Sequence, residues 1–126
     1  MRRLGCRMNR RVFERYVEEA IESLPPKFKD ALQNLEIVIE DFPDPEIYED
    51  SDIEPPLLGL YQGVPLTERG LSDTLMPDKI SIYMGEFLRG DYRGKELVEE
   101  IRLTIFHEIG HYFGLDDDAL EELESS

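Results

Sequence analysis

Hydrophobic side chains recur every three or four positions near the start of the chain, which is the spacing of one helix face. Charged residues, mostly glutamate, fill the positions between them. This pattern predicts a helix from Arg10 to Ser23 that ends before Pro25, because proline interrupts a helix. A shorter helix is predicted from Pro26 to Gln33, since proline is tolerated at the first helical position. The inward-facing residues of the longer helix are Val12, Phe13, Tyr16, Val17, Ala20, Ile21 and Leu24.

Three short apolar segments have the composition of strands. They are Leu35 to Glu40, Leu57 to Tyr61 and Lys79 to Met84, and they are rich in β-branched, aromatic or alternating residues. Residues 41–56 carry seven acids, four prolines and no basic residue, which predicts a solvated loop. Together with the helices, these strands predict an α+β fold. Its small mixed sheet of three to four strands would pack on the N-terminal helix and on the last long helix.

The last long helix is predicted from Lys95 to Phe113 and changes character along its length. Its first turns carry glutamates, which are favourable at the positive end of the helix dipole, whereas its second half is almost entirely apolar. Three ionisable residues interrupt that apolar half: His107, Glu108 and His111. Because burying such groups without partners is costly, the pattern indicates a bound metal ion.

The two histidines, which are the only ones in the chain, have the spacing of a zinc site. Residues four apart on a helix lie on one face with Cβ atoms about 5–6 Å apart, so both imidazoles can bind one zinc ion. Glu108 follows His107 directly and points off that axis. It is therefore placed to act as general base toward a zinc-bound water, which predicts hydrolysis of an amide bond.

Gly114 indicates where a third zinc ligand comes from. Glycine readily adopts the left-handed conformation that ends a helix and turns the following residues back toward the last helical turn. Asp116, Asp117 and Asp118 follow it, and their spacing alone does not choose among them. We expect one of them to bind zinc and another to cap a short closing helix from Ala119 to Leu123.

Length and cysteine content restrict the organisation of the chain. With 126 residues it has room for one domain with a modest core, expected over residues 10–126. Residues 1–9 are basic and are predicted to form a disordered tail.

The cysteine content bears on the compartment. Cys6 is the only cysteine, so no intrachain disulfide can form, as suits a reducing compartment. No apolar run spans a membrane or forms a signal peptide, and a cytoplasmic location is expected.

The net charge of −15 restricts the partners. Five of the 14 basic residues lie within residues 1–11, which leaves nine basic residues against 29 acidic ones in the rest of the chain. Such a surface argues against nucleic acid as a partner. It favours a peptide or protein substrate that is neutral or basic.

The run from His107 to Asp117 resembles the H-E-x-x-H-x-x-G-x-x-H/D signature of zincin metallopeptidases. The whole chain is similar to the bacterial mini-zincin family of zincin-like metallopeptidases. Residues 35–43, 58–69 and 77–85 resemble that family's succession of strand, edge strand and strand. The resemblance implies a minimal zincin fold with one zinc ion bound by His107, His111 and Asp117, and with Glu108 as the general base.

The resemblance also implies how a substrate would bind. In zincins an extended peptide pairs with an edge strand through main-chain hydrogen bonds. Gln62 to Thr67 is the candidate for that strand, with a surface loop as the alternative. Tyr83 and Tyr112 are candidate donors to the developing oxyanion, although packing in the core is the favoured interpretation of both.

Two further functions remain open. Only nine residues follow Asp117, without the downstream elements of larger zincins. If these missing elements are needed for catalysis, the chain is a metal-binding interaction module with incomplete catalytic machinery. The other possibility is a regulatory peptidase of the ImmA/IrrE type, whose helix also carries H-E-I-G-H and which has a single protein substrate.

Overall fold

A computed structural model describes residues 9–50, 55–68 and 78–125, without the side chains of residues 50, 117, 124 and 125. Of the predicted tail, residues 1–9, all but Asn9 lie outside the described residues, and so do residues 51–54, 69–77 and 126. The elements in chain order are α1 (Arg10–Glu22), α2 (Pro26–Ala31), β1 (Glu36–Glu40), α3 (Pro45–Asp50), β2 (Gly59–Gln62), β3 (Lys79–Tyr83), α4 (Met84–Arg89), α5 (Gly94–Tyr112) and α6 (Asp117–Ser125).

The three strands form one mixed sheet in the order β1-β3-β2. Strand β1 runs parallel to β3, with Ile37 opposite Ile80, whereas β2 runs antiparallel to β3, with Tyr61 opposite Ile80. Parallel pairing of β1 with β3 requires a long crossover, and residues 41–78 include that connection. The predicted α+β class with a small mixed sheet is confirmed, and β2 is an edge strand of this sheet.

The core lies between one face of the sheet and the two long helices α1 and α5, which contact each other along their lengths. Asn9 caps α1, because its side chain accepts a hydrogen bond from the main-chain N–H of Val12 at 2.9 Å. Helix α2 adds Phe28, whose ring stacks on Phe106 of α5 with centroids 4.4 Å apart. The fully buried apolar residues of this core are Phe13, Ala20, Ile80, Ile82, Phe87, Leu97, Ile101, Ile105, Ile109 and Leu120.

The prediction of a loop over residues 41–56 is wrong in part, because helix α3 occupies Pro45–Asp50. The cause is local. Pro45 stands at the first helical position, and the carboxylate of Asp44 accepts the main-chain N–H of Glu46 at 3.0 Å, which is a favourable helix start. Tyr48 of α3 then donates its hydroxyl to buried Glu86 at 3.0 Å. Acid and proline content indicated a loop, but here the same residues begin a helix.

The strand predicted from Leu57 to Tyr61 is confirmed as β2, whereas the separate candidate for a substrate-binding edge strand lies beyond it. Strand β2 ends at Gln62, and Leu66–Glu68 form a turn of 3-10 helix. The candidate segment from Gln62 to Thr67 is therefore a surface turn apart from its first residue. Val64-Pro65 ends the pairing because proline has no N–H to donate to a strand. Among the helices that the structure describes, none is long and apolar enough to cross a membrane.

Helix α6 packs closely on α5 where Leu120 meets Gly110. Leu120 is fully buried, and its side chain lies where a Cβ at Gly110 would stand. Glycine at this position of α5 therefore lets the closing helix approach. Leu123 is on the same helix but is 46% exposed.

We predict that Leu120→Ala lowers the free energy of unfolding by about 2–4 kcal/mol, because it removes a buried side chain and leaves a cavity over Gly110. Leu123→Ala is the matched control and is expected to change stability by less than about 0.5 kcal/mol. Urea unfolding followed by circular dichroism measures both values. Equal losses for the two variants would contradict the packing described for α6.

Candidate metal centre

The orientation of α5 is set by a stripe of residues four apart. Leu97, Ile101, Ile105 and Ile109 are all fully buried against the core. Because a helix is rigid, burying this stripe fixes the direction of every other side chain on α5. The three residues of the motif lie beside the stripe and are half-buried.

The structure brings His107 and His111 together on one face of α5. Their ring centroids are 4.9 Å apart and the ring planes are at 81° to each other. Two imidazoles at this separation are a donor pair that suits zinc, which is bound by histidine nitrogen at about 2.0–2.1 Å. Within the described side chains, no group of three or more possible ligands forms a metal site. The side chain of Asp117, the third predicted ligand, lies outside the described residues.

Glu108 reaches the edge of the sheet instead of the face that carries the histidines. Its Oε1 accepts a hydrogen bond from the main-chain N–H of Tyr61 in β2 at 2.8 Å. The approach of β2 to α5 depends on Gly59, where a Cβ would lie 2.6 Å from Cγ2 of Thr104. The general base predicted from the sequence is thus held by a main-chain group. That contact has no sequence signal, because every residue except proline carries an N–H.

The chain leaves α5 through a left-handed turn at Gly114, as predicted. Gly114 has a φ of 86°, in the left-handed region. Its N–H bonds to the carbonyl of His111, and the N–H of Leu115 bonds to the carbonyl of Gly110, both at 2.9 Å. These two bonds are the Schellman arrangement that ends helices. The side chain of Thr67 packs directly on Gly114, so the turn after β2 lies against the turn after α5.

The three aspartates after this turn have different positions. Asp116 caps α6, because its Oδ1 accepts the N–H of Ala119 at 2.9 Å and its carbonyl accepts the N–H of Leu120 at 3.1 Å. Asp117 is the first residue of α6, and Asp118 is exposed. The expectation that one aspartate caps the closing helix is confirmed for Asp116. That helix is longer than predicted.

Both candidate tyrosines are packed in the interior. Tyr83 is 2% exposed and Tyr112 is 4% exposed, and the ring of Tyr112 meets that of Tyr61 edge-on at 5.9 Å. Burial raises the pKa of Tyr83, and the carboxylates of Glu40 and Glu108 raise it further, against a hydrogen bond with Ser81 that lowers it. Its phenol therefore stays protonated at neutral pH.

Comparison with known proteins identifies the family. A model of the zincin-like metallopeptidase family matches residues 32–126, and the chain belongs to that family. The resemblance noted in the sequence and the expected minimal zincin fold are confirmed. Family membership associates the chain with metallopeptidases and implies a zinc or other metal cofactor.

A solved structure adds support for the fold. The chain is similar to a conserved hypothetical protein from Thermus thermophilus, with 28% identity and a TM-score of 0.53. The match covers 93% of this chain and 98% of the other, so the two proteins share the whole architecture. No curated protein matches the sequence significantly.

We predict that Gly114→Ala destabilises the fold by about 2–4 kcal/mol, since a left-handed alanine costs about 1–2 kcal/mol and its Cβ would also meet Thr67. Gly94→Ala is the control: Gly94 has a φ of 53°, but a Cβ at this position would have nothing within 4 Å. Thermal and urea unfolding should show that Gly94→Ala loses less stability than Gly114→Ala. Adding Thr67→Ala should recover part of the stability lost in Gly114→Ala and none of that lost in Gly94→Ala.

Proposed function

We propose that this protein is a zinc-dependent metallopeptidase that hydrolyses peptide bonds in extended segments of a peptide or protein. One observation carries the proposal: two histidines lie together on α5 while the intervening Glu108 carboxylate lies at the edge of β2. Zincin-like family membership supports the same reaction class. The class of substrate follows from the charge of the chain and from the edge strand.

We assign the ligands of one zinc ion to His107, His111 and Asp117, with Glu108 outside the ligand set. The donor chemistry fits, because zinc takes three protein ligands from nitrogen and oxygen donors in catalytic sites. Asp117 is preferred over Asp116 because the carboxylate of Asp116 is engaged in capping α6. Asp117 also lies ten residues after His107, at the position that the family signature gives to the third ligand.

When bound, zinc would act as a Lewis acid that acidifies the attacking water and polarises the substrate carbonyl. Glu108 takes a proton from that water and passes it to the nitrogen of the leaving amine. Its position off the histidine face leaves it outside the ligand set, and in the free protein its carboxylate accepts the N–H of Tyr61 at the edge of β2.

The substrate is expected to lie along β2. A strand at the edge of a sheet offers main-chain groups to an extended peptide, and the sheet order leaves β2 as such an edge. The net charge of −15 favours neutral or basic segments over acidic ones, and it disfavours nucleic acid. We place the protein in the cytoplasm, in keeping with its single cysteine.

We predict that the purified protein binds one zinc ion, and that His107→Ala and His111→Ala abolish binding. Asp117→Asn should weaken zinc affinity by about 10-fold or more, because it replaces a charged ligand. Elemental analysis and competition with a chelator measure these effects. Asp116→Asn is the control, since asparagine caps a helix about as well as aspartate. If Asp116→Asn loses zinc and Asp117→Asn retains it, the ligand assignment is wrong.

We predict that Glu108→Gln retains zinc and lowers the rate of peptide cleavage by about 100-fold or more, the usual contribution of a general base. A library of unmodified peptides analysed by mass spectrometry provides the assay. Glu100→Gln, about two turns before His107 on the same helix, should cleave at the wild-type rate. Wild-type cleavage by Glu108→Gln would refute the assigned base. Zinc binding without cleavage of any peptide by the wild type would favour the interaction module instead.

A further inference from the structure

The main-chain groups of β2 that face away from the sheet can be identified from its pairing. In an antiparallel pair, the N–H and C=O of one residue point to the same side, and this side alternates along the strand. The carbonyl of Leu58 accepts the N–H of Tyr83 at 2.9 Å, so Leu58, Leu60 and Gln62 face β3. Gly59 and Tyr61 therefore present their N–H and C=O groups to the side of β2 away from β3, where the described part of the chain adds no further strand.

One of these outward groups is occupied by the general base. Oε1 of Glu108 lies 2.8 Å from the nitrogen of Tyr61, which is the distance at which a carbonyl oxygen of an added strand would stand. The carboxylate oxygen thus takes the place of a substrate main-chain carbonyl. A peptide that pairs fully with β2 must take over the N–H of Tyr61 from Glu108.

We propose that the outward main-chain N–H of Tyr61 is a shared contact, held by Glu108 in the free protein and transferred to a main-chain carbonyl of the bound peptide. The proposal deepens the proposed function and rests on it for the identity of the ligand, an extended peptide. Tyr61 is in this sense a positioning residue that acts through its main chain, and its side chain instead packs on Tyr112.

Exchange of this hydrogen bond couples substrate binding to release of the base. In the free protein the carboxylate satisfies this outward-facing N–H and places a negative charge beside β2, which hinders pairing with other strands. Once a substrate carbonyl takes the N–H, Glu108 can turn toward the attacking water. Small amides that do not reach Tyr61 leave the carboxylate engaged, so the site selects extended peptides over short ones.

Hydrogen exchange of single amides tests the contact in the free protein. The amides of Leu60 and Gln62 face β3 and serve as internal references, while that of Tyr61 reports on Glu108. We expect Glu108→Ala to speed exchange at Tyr61 by about fivefold or more relative to both neighbours, because a net hydrogen bond is worth about that factor. Glu108→Gln keeps an acceptor oxygen and should preserve most of the protection. Equal exchange at Tyr61 in the wild type and Glu108→Ala would overturn the proposal.

Peptide binding tests the exchange itself. The probe is a terminally blocked, fluorescent octapeptide of alternating valine and lysine, measured by anisotropy with the zinc-loaded variants Glu108→Ala and Glu108→Gln. Both variants lack the negative charge, and only Glu108→Ala also lacks the competing acceptor. We expect Glu108→Ala to bind about three- to tenfold more tightly, since it no longer competes for the N–H of Tyr61. Equal affinity of the two variants would refute competition.

The two measurements separate this inference from the proposed function. If the wild type cleaves peptides and Glu108→Gln does not, but exchange at Tyr61 is insensitive to Glu108, the function holds and the shared contact is refuted. If no peptide is cleaved, while Glu108→Ala exposes the Tyr61 amide and the octapeptide protects it again, the shared contact holds and the peptidase assignment fails.

Discussion

Helix α5 packs a stripe of four residues, Leu97, Ile101, Ile105 and Ile109, into the core between the sheet and α1. This burial is the constraint on which the site depends, because it fixes the rotation of the helix. With the stripe inside, the two histidines share a neighbouring face and Glu108 points to the edge of β2. Stability and site geometry are therefore supplied by the same element.

Two glycines let the neighbouring elements approach this helix. Gly59 allows β2 to lie against Thr104, and Gly110 allows Leu120 of α6 to pack on the helix inside the motif itself. The variable positions of H-E-x-x-H are thus occupied by core residues, Ile109 and Gly110. The same five residues therefore supply both polar side chains and core contacts, so the site needs no separate supporting element.

A side chain of helix α5 covers part of the edge of β2. An unpaired strand edge attracts other strands, and proteins commonly protect it with charge or with a covering side chain. Here the carboxylate of Glu108 covers one outward N–H of the edge. Under the proposed function this carboxylate is the general base, and an extended peptide that pairs with β2 would displace it from the N–H of Tyr61.

The sequence was sufficient for features that depend on nearby residues. Helix α1 follows from its apolar spacing, the helix predicted from Lys95 to Phe113 is α5 (Gly94–Tyr112), and the left-handed turn follows from Gly114. The helix α3 was missed because acid and proline content resembles a loop, although Asp44 and Pro45 carry a start signal that the pattern of the segment obscured. Strand β2 follows from the apolar segment Leu57 to Tyr61, whereas the segment from Gln62 to Thr67, predicted as an edge strand or a surface loop, is a turn after its first residue.

By itself the sequence determined the identity of the motif, the pair of histidines on one helix face and the α+β class, since these depend on periodicity and on residue chemistry within a few turns. Only the tertiary structure decided which aspartate caps α6, and that the carboxylate of Glu108 is held by a main-chain N–H of β2. The second of these contacts joins residues far apart in the chain, Tyr61 and Glu108. It depends on how the strand and the helix pack together, which no local pattern of side chains records.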